Sequence, residues 1–127
     1  MLQKTVVESP RVPRLGPYSQ AIRVGDLIYT AGQVGIDPAT GRVAGDSFIA
    51  QARQALVNLR TLLEDAGSGM DAVVKVTCFV TDPAAFSSLN DLFVEFFPSS
   101  PPARSTPVVA LPRGLQFSVD AIAVATR

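Results

Sequence analysis

The sequence predicts an α+β fold in which two helices cover one face of a mixed six-stranded sheet. Two segments, residues 52–66 and 86–97, carry apolar side chains at the spacing of an amphipathic helix. Runs rich in β-branched and aromatic residues precede, separate and follow these segments. The resulting order, β-β-β-α-β-α-β-β, is typical of helices packed together on one side of a sheet.

The N-terminal part of the chain is expected to supply three strands. The first lies at residues 4–8, and two more lie within residues 21–36, joined by a turn at Gly25 and Asp26. A loop rich in proline and glycine, residues 11–20, connects them.

The first helix is expected to begin near Asp46 or Ser47, because either side chain can cap a helix N-terminus. Gly67 is a favourable residue to end it. Its apolar face consists of Ala52, Ala55, Leu56, Leu59, Leu62, Leu63 and Ala66.

The second helix follows a buried strand at residues 72–81. Asp82 is expected to cap this helix, with Pro83 at its first position, which is a favoured pairing. Its apolar stripe consists of Phe86, Leu89, Phe93, Phe96 and Phe97.

The last two strands, residues 103–111 and 115–125, are expected to form a hairpin around the sequence PRG. In that hairpin Arg104 lies opposite the region that contains Asp120, the one acid on these two strands. A structural ion pair between Arg104 and Asp120 is then one interpretation, because a buried charge needs a partner.

The other interpretation is that Arg104 binds an anion. A guanidinium is planar and can grip a carboxylate with two parallel hydrogen bonds. Thr106 and Ser118 would add hydroxyl groups to the same polar patch. The residues alone leave these two interpretations open.

The last strand also predicts a homo-oligomer. It is apolar on both faces, with Phe117, Val119 and Ala121 on one and Ile122 and Val124 on the other. Two helices can cover only one face, so the second face is expected to pack against other copies of the chain. The low charged content of 17% agrees with a surface that is partly buried in this way.

The composition excludes several kinds of catalytic site. The chain has no histidine and one cysteine, Cys78, which excludes Ser-His-Asp and Cys-His catalysis and His/Cys zinc sites within one chain. Cys78 lies in an apolar run and is interpreted as a packing thiol. The net charge of zero argues against general binding to nucleic acids or acidic membranes.

The 127 residues are expected to form one domain. No signal peptide or membrane-length apolar segment is recognisable, so a cytoplasmic protein is expected.

Two further residues are candidates for a site. Tyr18, in the loop GPYSQ, can pack or can orient a substrate or water through its hydroxyl. Gly32 ends an otherwise β-rich run, where glycine often marks a bulge or a place where a ligand approaches the backbone.

Several segments together resemble the Rid family of reactive intermediate deaminases, also called the YjgF family. They are GPYSQAI, IYTAGQVGIDPATG, QARQALVNLRTLLEDAG, VVKVTCFVTD, LNDLFVEFF and PPARST…LP, in this order. The resemblance implies a chorismate-mutase-like fold and a homotrimer whose sheets form a central barrel. It also implies three sites between neighbouring subunits, with no cofactor and no metal.

The activity implied by the resemblance is hydrolysis of 2-imino acids, such as 2-iminobutanoate and 2-iminopropanoate, and of their enamine tautomers to 2-keto acids and ammonia. The family's arginine for the substrate carboxylate falls on Arg104, and its loop tyrosine falls on Tyr18. Its backbone amide that contacts the carboxylate falls on Gly32, and its helix asparagine falls on Asn90.

The resemblance fails at the family's acidic residues. Where deaminase members carry IEIEAIA, this chain has FSVDAIA, so Ser118 replaces the first glutamate and Asp120 the second. Asp120 could take over the role of base through a water, or the protein could bind carboxylates with slow or no catalysis. An imine deaminase is therefore the first hypothesis, a small-carboxylate binding or regulatory protein the alternative, and an RNA-cleaving enzyme a third.

Overall fold

The computed structural model describes residues 2–126. Within them the chain forms nine strands and two α-helices. The elements are β1 Lys4–Val7, β2 Ala21–Val24, β3 Leu27–Thr30, β4 Gln33–Val34, β5 Ile36–Asp37, β6 Arg42–Val43, α1 Phe48–Asp65, β7 Val73–Val80, α2 Phe86–Phe96, β8 Ala103–Ser105 and β9 Phe117–Val124.

The main sheet has the strand order β1-β2-β3-β9-β7-β8, with β4 paired to β9 beside the end of β3. All neighbours are antiparallel except β7 and β8, which are parallel. The strands β5 and β6 form a separate small hairpin. The predicted mixed sheet with two helices is confirmed, and β4 is a short additional strand because the predicted 21–36 segment is interrupted after Thr30.

The hydrophobic core lies between the two helices and one face of the sheet. Alternate residues of a strand point to opposite faces, so each central strand sends every second side chain into this core. The buried strand residues include Ile28, Val76, Cys78, Val80, Phe117, Val119, Ala121 and Ala123, and the buried helix residues include Leu56, Leu59, Leu62, Leu63, Leu89 and Phe93.

Both helices begin close to the predicted capping residues. The Ser47 hydroxyl accepts a 3.1 Å hydrogen bond from the Ala50 amide, so Ser47 rather than Asp46 caps α1. Gly67 has φ +86° and directly follows the C-cap residue of α1, as expected for a glycine that ends a helix. Asp82 caps a single 3₁₀ turn, Pro83–Ala85, and α2 begins only after it.

The predicted hairpin between the last two strands is wrong. β8 pairs in parallel with one edge of β7, and β9 pairs antiparallel with the other edge, so β7 lies between them. The segment β7-α2-β8 is a strand-helix-strand crossover, which places its two strands in parallel. Pro102 and Pro107 flank β8 and restrict it to a short strand at the sheet edge, because proline cannot donate to a sheet ladder.

The register places Arg104 and Asp120 on opposite faces of the sheet. Arg104 is aligned with the buried Val76, and Asp120 is aligned with Thr77, the next residue along β7. Residues aligned across neighbouring strands share a face, whereas successive residues do not. The interpretation of a structural Arg104–Asp120 ion pair is therefore wrong, and residues 2–126 contain no such pair.

The face of the sheet away from the helices, called here the open face, carries exposed apolar side chains. Val6 is 52% exposed, Leu27 38%, Tyr29 42% and Val124 39%. A second layer of protein would bury them, which supports the expected homo-oligomer; that assembly stays a prediction.

No helix within residues 2–126 combines the length and the apolar character needed to cross a membrane. The expected cytoplasmic location stays a prediction.

Candidate active site

Arg104 lies on the edge strand β8, and its side chain packs against α2. Its Nη2 group donates a 2.7 Å hydrogen bond to Asn90 Oδ1. Its guanidinium carbon lies 5.1 Å from the ring centre of Phe86 and 4.8 Å from that of Phe93. These three α2 residues are at positions i, i+4 and i+7, so they lie on one side of the helix.

Arg104 has no carboxylate partner in the part of the chain that the structure describes. Other arginines do have one, since Arg11 pairs with Asp65 and Arg53 pairs with Glu95. A guanidinium has five N–H donors, and within residues 2–126 the Asn90 oxygen is the one protein acceptor that meets them. We call Arg104 and Asn90 the anion half-site, because its geometry leaves donors open to an anionic ligand.

A cleft of about 350 Å³ brings together three of the other predicted site residues, Tyr18, Gly32 and Ser118. We call these three residues the cleft half-site. The remaining wall of the cleft is mostly apolar, with one arginine at an exposed position, and consists of Leu15, Val34, Leu111, Pro112, Arg113 and Leu115.

Two glycines allow the close packing around this cleft. A Cβ atom at Gly16 would lie 2.8 Å from Cε2 of Tyr18, so the tyrosine ring rests against the backbone of its own loop. A Cβ atom at Gly32 would lie 2.8 Å from Oγ of Ser118. The Gly32 backbone therefore borders the Ser118 hydroxyl closely, at the break between β3 and β4. The expected approach of a ligand to this backbone stays a prediction.

Asp120 is partly buried on the open face, the same face as Ser118 two residues earlier in β9. Burial raises the pKa of its carboxyl above the ordinary value, and the positive charge of Lys75 acts in the opposite direction. No hydrogen-bond donor within the described range meets this carboxylate. Asp120 is therefore a stronger base than an ordinary aspartate.

Thr106 directly follows β8 and is partly buried. It was expected to share a patch with Ser118, but it does not line the cleft that contains Ser118. The strand β7 lies between β8, which Thr106 follows, and β9, which carries Ser118.

Cys78 is buried in the core. Burial raises the pKa of its thiol to about 12, while the nearby Arg104 charge lowers it. The interpretation as a packing thiol fits this environment. The raised pKa keeps the side chain protonated, and a protonated thiol is a poor nucleophile compared with a thiolate. Within residues 2–126, no three His, Cys, Asp or Glu side chains are placed to hold a metal ion.

The two half-sites cannot form one site within a single chain. Arg104 faces the helices at the outer edge of the sheet, whereas Ser118 faces the open side, with β7 between their strands. A site that uses both half-sites needs a second copy of the chain.

The aromatic contacts of Arg104 were not predicted from the sequence. Phe86 and Phe93 were interpreted as members of the apolar stripe, and Phe93 is indeed buried. Phe86 is 49% exposed, so packing in the core does not by itself explain its position. The i, i+4 and i+7 spacing places both rings on the same side of α2 as Asn90, but any apolar stripe has this spacing, so it gave no separate signal for a contact with Arg104.

Comparison with known proteins gives consistent results. Residues 9–125 match the family described as endoribonuclease L-PSP. The 2-iminobutanoate/2-iminopropanoate deaminase of Capra hircus is 40% identical over 125 residues, which cover 97% of this chain and 91% of that protein. A RutC family protein of Pyrococcus abyssi is 38% identical over 124 residues, which cover 96% and 98%.

Solved structures agree with these sequence matches. The Rid-family protein YyfA from Yersinia pestis has a TM-score of 0.92 at 38% identity, covering 97% of this chain and 100% of that chain. Escherichia coli TdcF with bound serine has a TM-score of 0.89 at 32% identity, covering 96% and 99%. With a family match over residues 9–125 and relatives that align along nearly the whole length, the chain belongs to the Rid family.

Proposed function

We propose that this protein is a hydrolase that converts 2-imino acids and their enamine tautomers to 2-keto acids and ammonia. Relatives about 40% identical carry the name 2-iminobutanoate/2-iminopropanoate deaminase, which supports this class of reaction. The observation that carries the proposal is the open guanidinium of Arg104, since every 2-imino acid substrate has a carboxylate for it to bind. TdcF, a relative of the same fold, was solved with serine, which also has a carboxylate.

The proposed site lies between two copies in a homotrimer. Arg104 and Asn90 of one copy hold the substrate carboxylate, and the cleft half-site of its neighbour surrounds the reacting carbon. The backbone amide of Gly32 gives the carboxylate a second contact. The exposed apolar side chains of the open face support an assembly in which sheets of different copies pack together.

The proposed reaction is addition of water to the C=N carbon, followed by loss of ammonia. An oxygen–carbon bond forms as the C=N π electrons move to nitrogen, and the resulting carbinolamine then breaks its C–N bond. The imine and water thereby become the 2-keto acid and ammonia, with no oxidant, reductant or cofactor. Arg104 orients the substrate so that one face of the imine carbon meets the water.

Tyr18 and Asp120 have the proposed task of handling this water. Tyr18 lines the cleft, and its hydroxyl has the proposed task of orienting the water by hydrogen bonding. Asp120 lies on the face of β9 that carries Ser118 and can accept the water's proton through a second water. Ser118 supplies a hydroxyl to the cleft, but serine is a weak base without an activating neighbour.

A binding or regulatory protein for small carboxylates is the second candidate function. Ser118 favours it, because no protein group in the described range hydrogen-bonds to this hydroxyl to activate it. The anion half-site would serve such a protein unchanged.

Release of 2-ketobutyrate from freshly generated 2-iminobutyrate tests the proposed reaction. An enzyme that dehydrates threonine supplies the imine, and the wild type is compared with Arg104→Ala and Arg104→Lys. We expect faster release with wild type and loss of the acceleration with Arg104→Ala. If wild type releases 2-ketobutyrate no faster than Arg104→Ala does, the deaminase proposal is rejected. Calorimetric binding of 2-ketobutyrate to the wild type would then support the carboxylate-binding alternative.

A further inference from the structure

The rings of Phe86 and Phe93 contact the one arginine that the proposed site depends on. Their ring centres lie 5.1 and 4.8 Å from the guanidinium carbon of Arg104, within the range of a cation–π interaction. We propose that Phe86 and Phe93 are positioning residues that hold the guanidinium of Arg104 in the orientation that binds a carboxylate. This inference rests on the proposed function.

The three contacts from α2 constrain different parts of the same group. Asn90 Oδ1 accepts a hydrogen bond from Nη2, which fixes one edge of the guanidinium. The two rings approach the guanidinium carbon to 5.1 and 4.8 Å, and a phenylalanine ring carries no oxygen or nitrogen that could accept a hydrogen bond. The remaining N–H donors are thus left for a ligand that approaches in the plane, as a carboxylate does.

The position of Arg104 explains why such support is needed. Its strand has only three residues and lies at the sheet edge, where it pairs with β7 alone. A long side chain on a short edge strand has many accessible rotamers, and ordering it on ligand binding costs free energy. Contacts that order the Arg104 side chain before the ligand arrives remove this cost and thereby strengthen ligand binding.

Core packing explains the position of Phe86 much less well than it explains the position of Phe93. It is 49% exposed at the first position of α2, whereas Phe93 is 8% exposed and also belongs to the core. A half-exposed phenylalanine contributes little to the core, so Phe86 can be changed with little effect on folding. Phe86 is therefore the better position for a test.

The test compares Phe86→Leu and Phe86→Tyr with wild type, and uses Val94→Ala as the control. Val94 is 70% exposed on the same helix and has no ring to offer Arg104. We expect Phe86→Leu to weaken 2-ketobutyrate binding and raise KM by about 3- to 10-fold, with kcat changed less than about twofold. Phe86→Tyr keeps a ring face and is expected to bind like wild type.

A second comparison separates positioning from a general structural effect. In an Arg104→Lys background, Phe86→Leu is expected to weaken binding much less than in the wild type, because the planar guanidinium is absent. Equal losses in both backgrounds, or unchanged binding by folded Phe86→Leu, would overturn the inference. Binding of 2-ketobutyrate without imine hydrolysis by wild type would reject the proposed reaction alone, since the binding comparison needs no turnover.

Discussion

Arg104 and Asp120 lie on the two strands that flank β7, and their side chains point to opposite faces of the sheet. This relationship removes Asp120 as the resting partner of Arg104 and leaves the guanidinium with Asn90 and two aromatic rings. It also separates the group proposed to hold the substrate from the groups proposed to handle water. Both kinds of group can meet in one site only when a second copy supplies one of them.

Asn90→Asp is expected to weaken ligand binding by placing a carboxylate beside Arg104. The Asn90 oxygen already lies 2.7 Å from Nη2, so an aspartate there would form an ion pair that competes with a ligand carboxylate. We expect 2-ketobutyrate affinity to fall by about tenfold or more, measured by calorimetry. Asn90→Ala, which removes the amide without adding charge, is the control and should lose less. Wild-type affinity in Asn90→Asp would show that Arg104 is not the ligand's partner.

Ser118→Glu is expected to raise kcat for 2-iminobutyrate hydrolysis. It introduces a carboxylate base into the cleft shared with Tyr18 and Gly32, and a positioned base contributes at least about 10²-fold in well-formed sites. Ser118→Gln is the matched control, because it has the same length without the charge. Equal kcat values for the glutamate and glutamine variants would contradict a role for a base at this position.

Asp120→Asn is expected to stabilise the protein at pH 7. Burial raises the folded-state pKa of Asp120 above its ordinary value of 3.8, so the folded state binds this proton more tightly than the unfolded state. The contribution of the protonated Asp120 carboxyl to stability is therefore complete below pH 3.8 and is lost as the pH rises through its folded-state pKa. The melting temperature of Asp120→Asn should exceed that of wild type at pH 7, and the difference should close near pH 3 to 4.

Substituting the exposed Asp91 by asparagine is the control for this pH experiment. Two results would contradict the buried, charged state of Asp120. One is equal melting temperatures for Asp120→Asn and wild type at pH 7, and the other is a difference in melting temperature that grows as the pH falls.

Cys78 is expected to resist alkylation in the folded protein. Its thiol is buried and has a pKa raised to about 12, so almost no thiolate is present at pH 8. Mass spectrometry after iodoacetamide treatment should show no label at pH 8, and full label once guanidinium chloride has unfolded the chain. Rapid labelling of the native protein would contradict this placement.

Local features of the sequence predicted α1 well. Ser47 and Gly67 act within one turn of the helix, so their effect depends on neighbouring residues alone. The pairing of β8 was missed because it joins residues 28 positions apart, such as Val76 and Arg104, and the PRG sequence suggested a nearer partner. The β7-α2-β8 order contained the correct answer, since a strand-helix-strand unit places its strands in parallel.

The candidate site was predicted in part. The anion-binding interpretation of Arg104 came from the lack of a nearby acid in its strand, and the resemblance added Asn90, which does contact Arg104. The face that Arg104 occupies could not be predicted, because it depends on a strand register set by long-range packing. The role inferred for Phe86 was hidden because an apolar stripe on a helix has the same pattern whether or not one member contacts a charge.

Mixing two inactive variants tests most directly the claim that each site combines half-sites from two copies. Arg104→Ala removes the anion half-site, and Gly32→Val fills the cleft beside Ser118. Random mixing of equal amounts into cyclic trimers should restore about a quarter of the wild-type activity and 2-ketobutyrate binding sites. About three-quarters of the trimers are then mixed, and each mixed trimer has one of its three sites with both halves intact. Each variant alone should show neither. Mixed trimers, verified by native mass spectrometry, that bind and turn over no more than the separate variants would contradict the account.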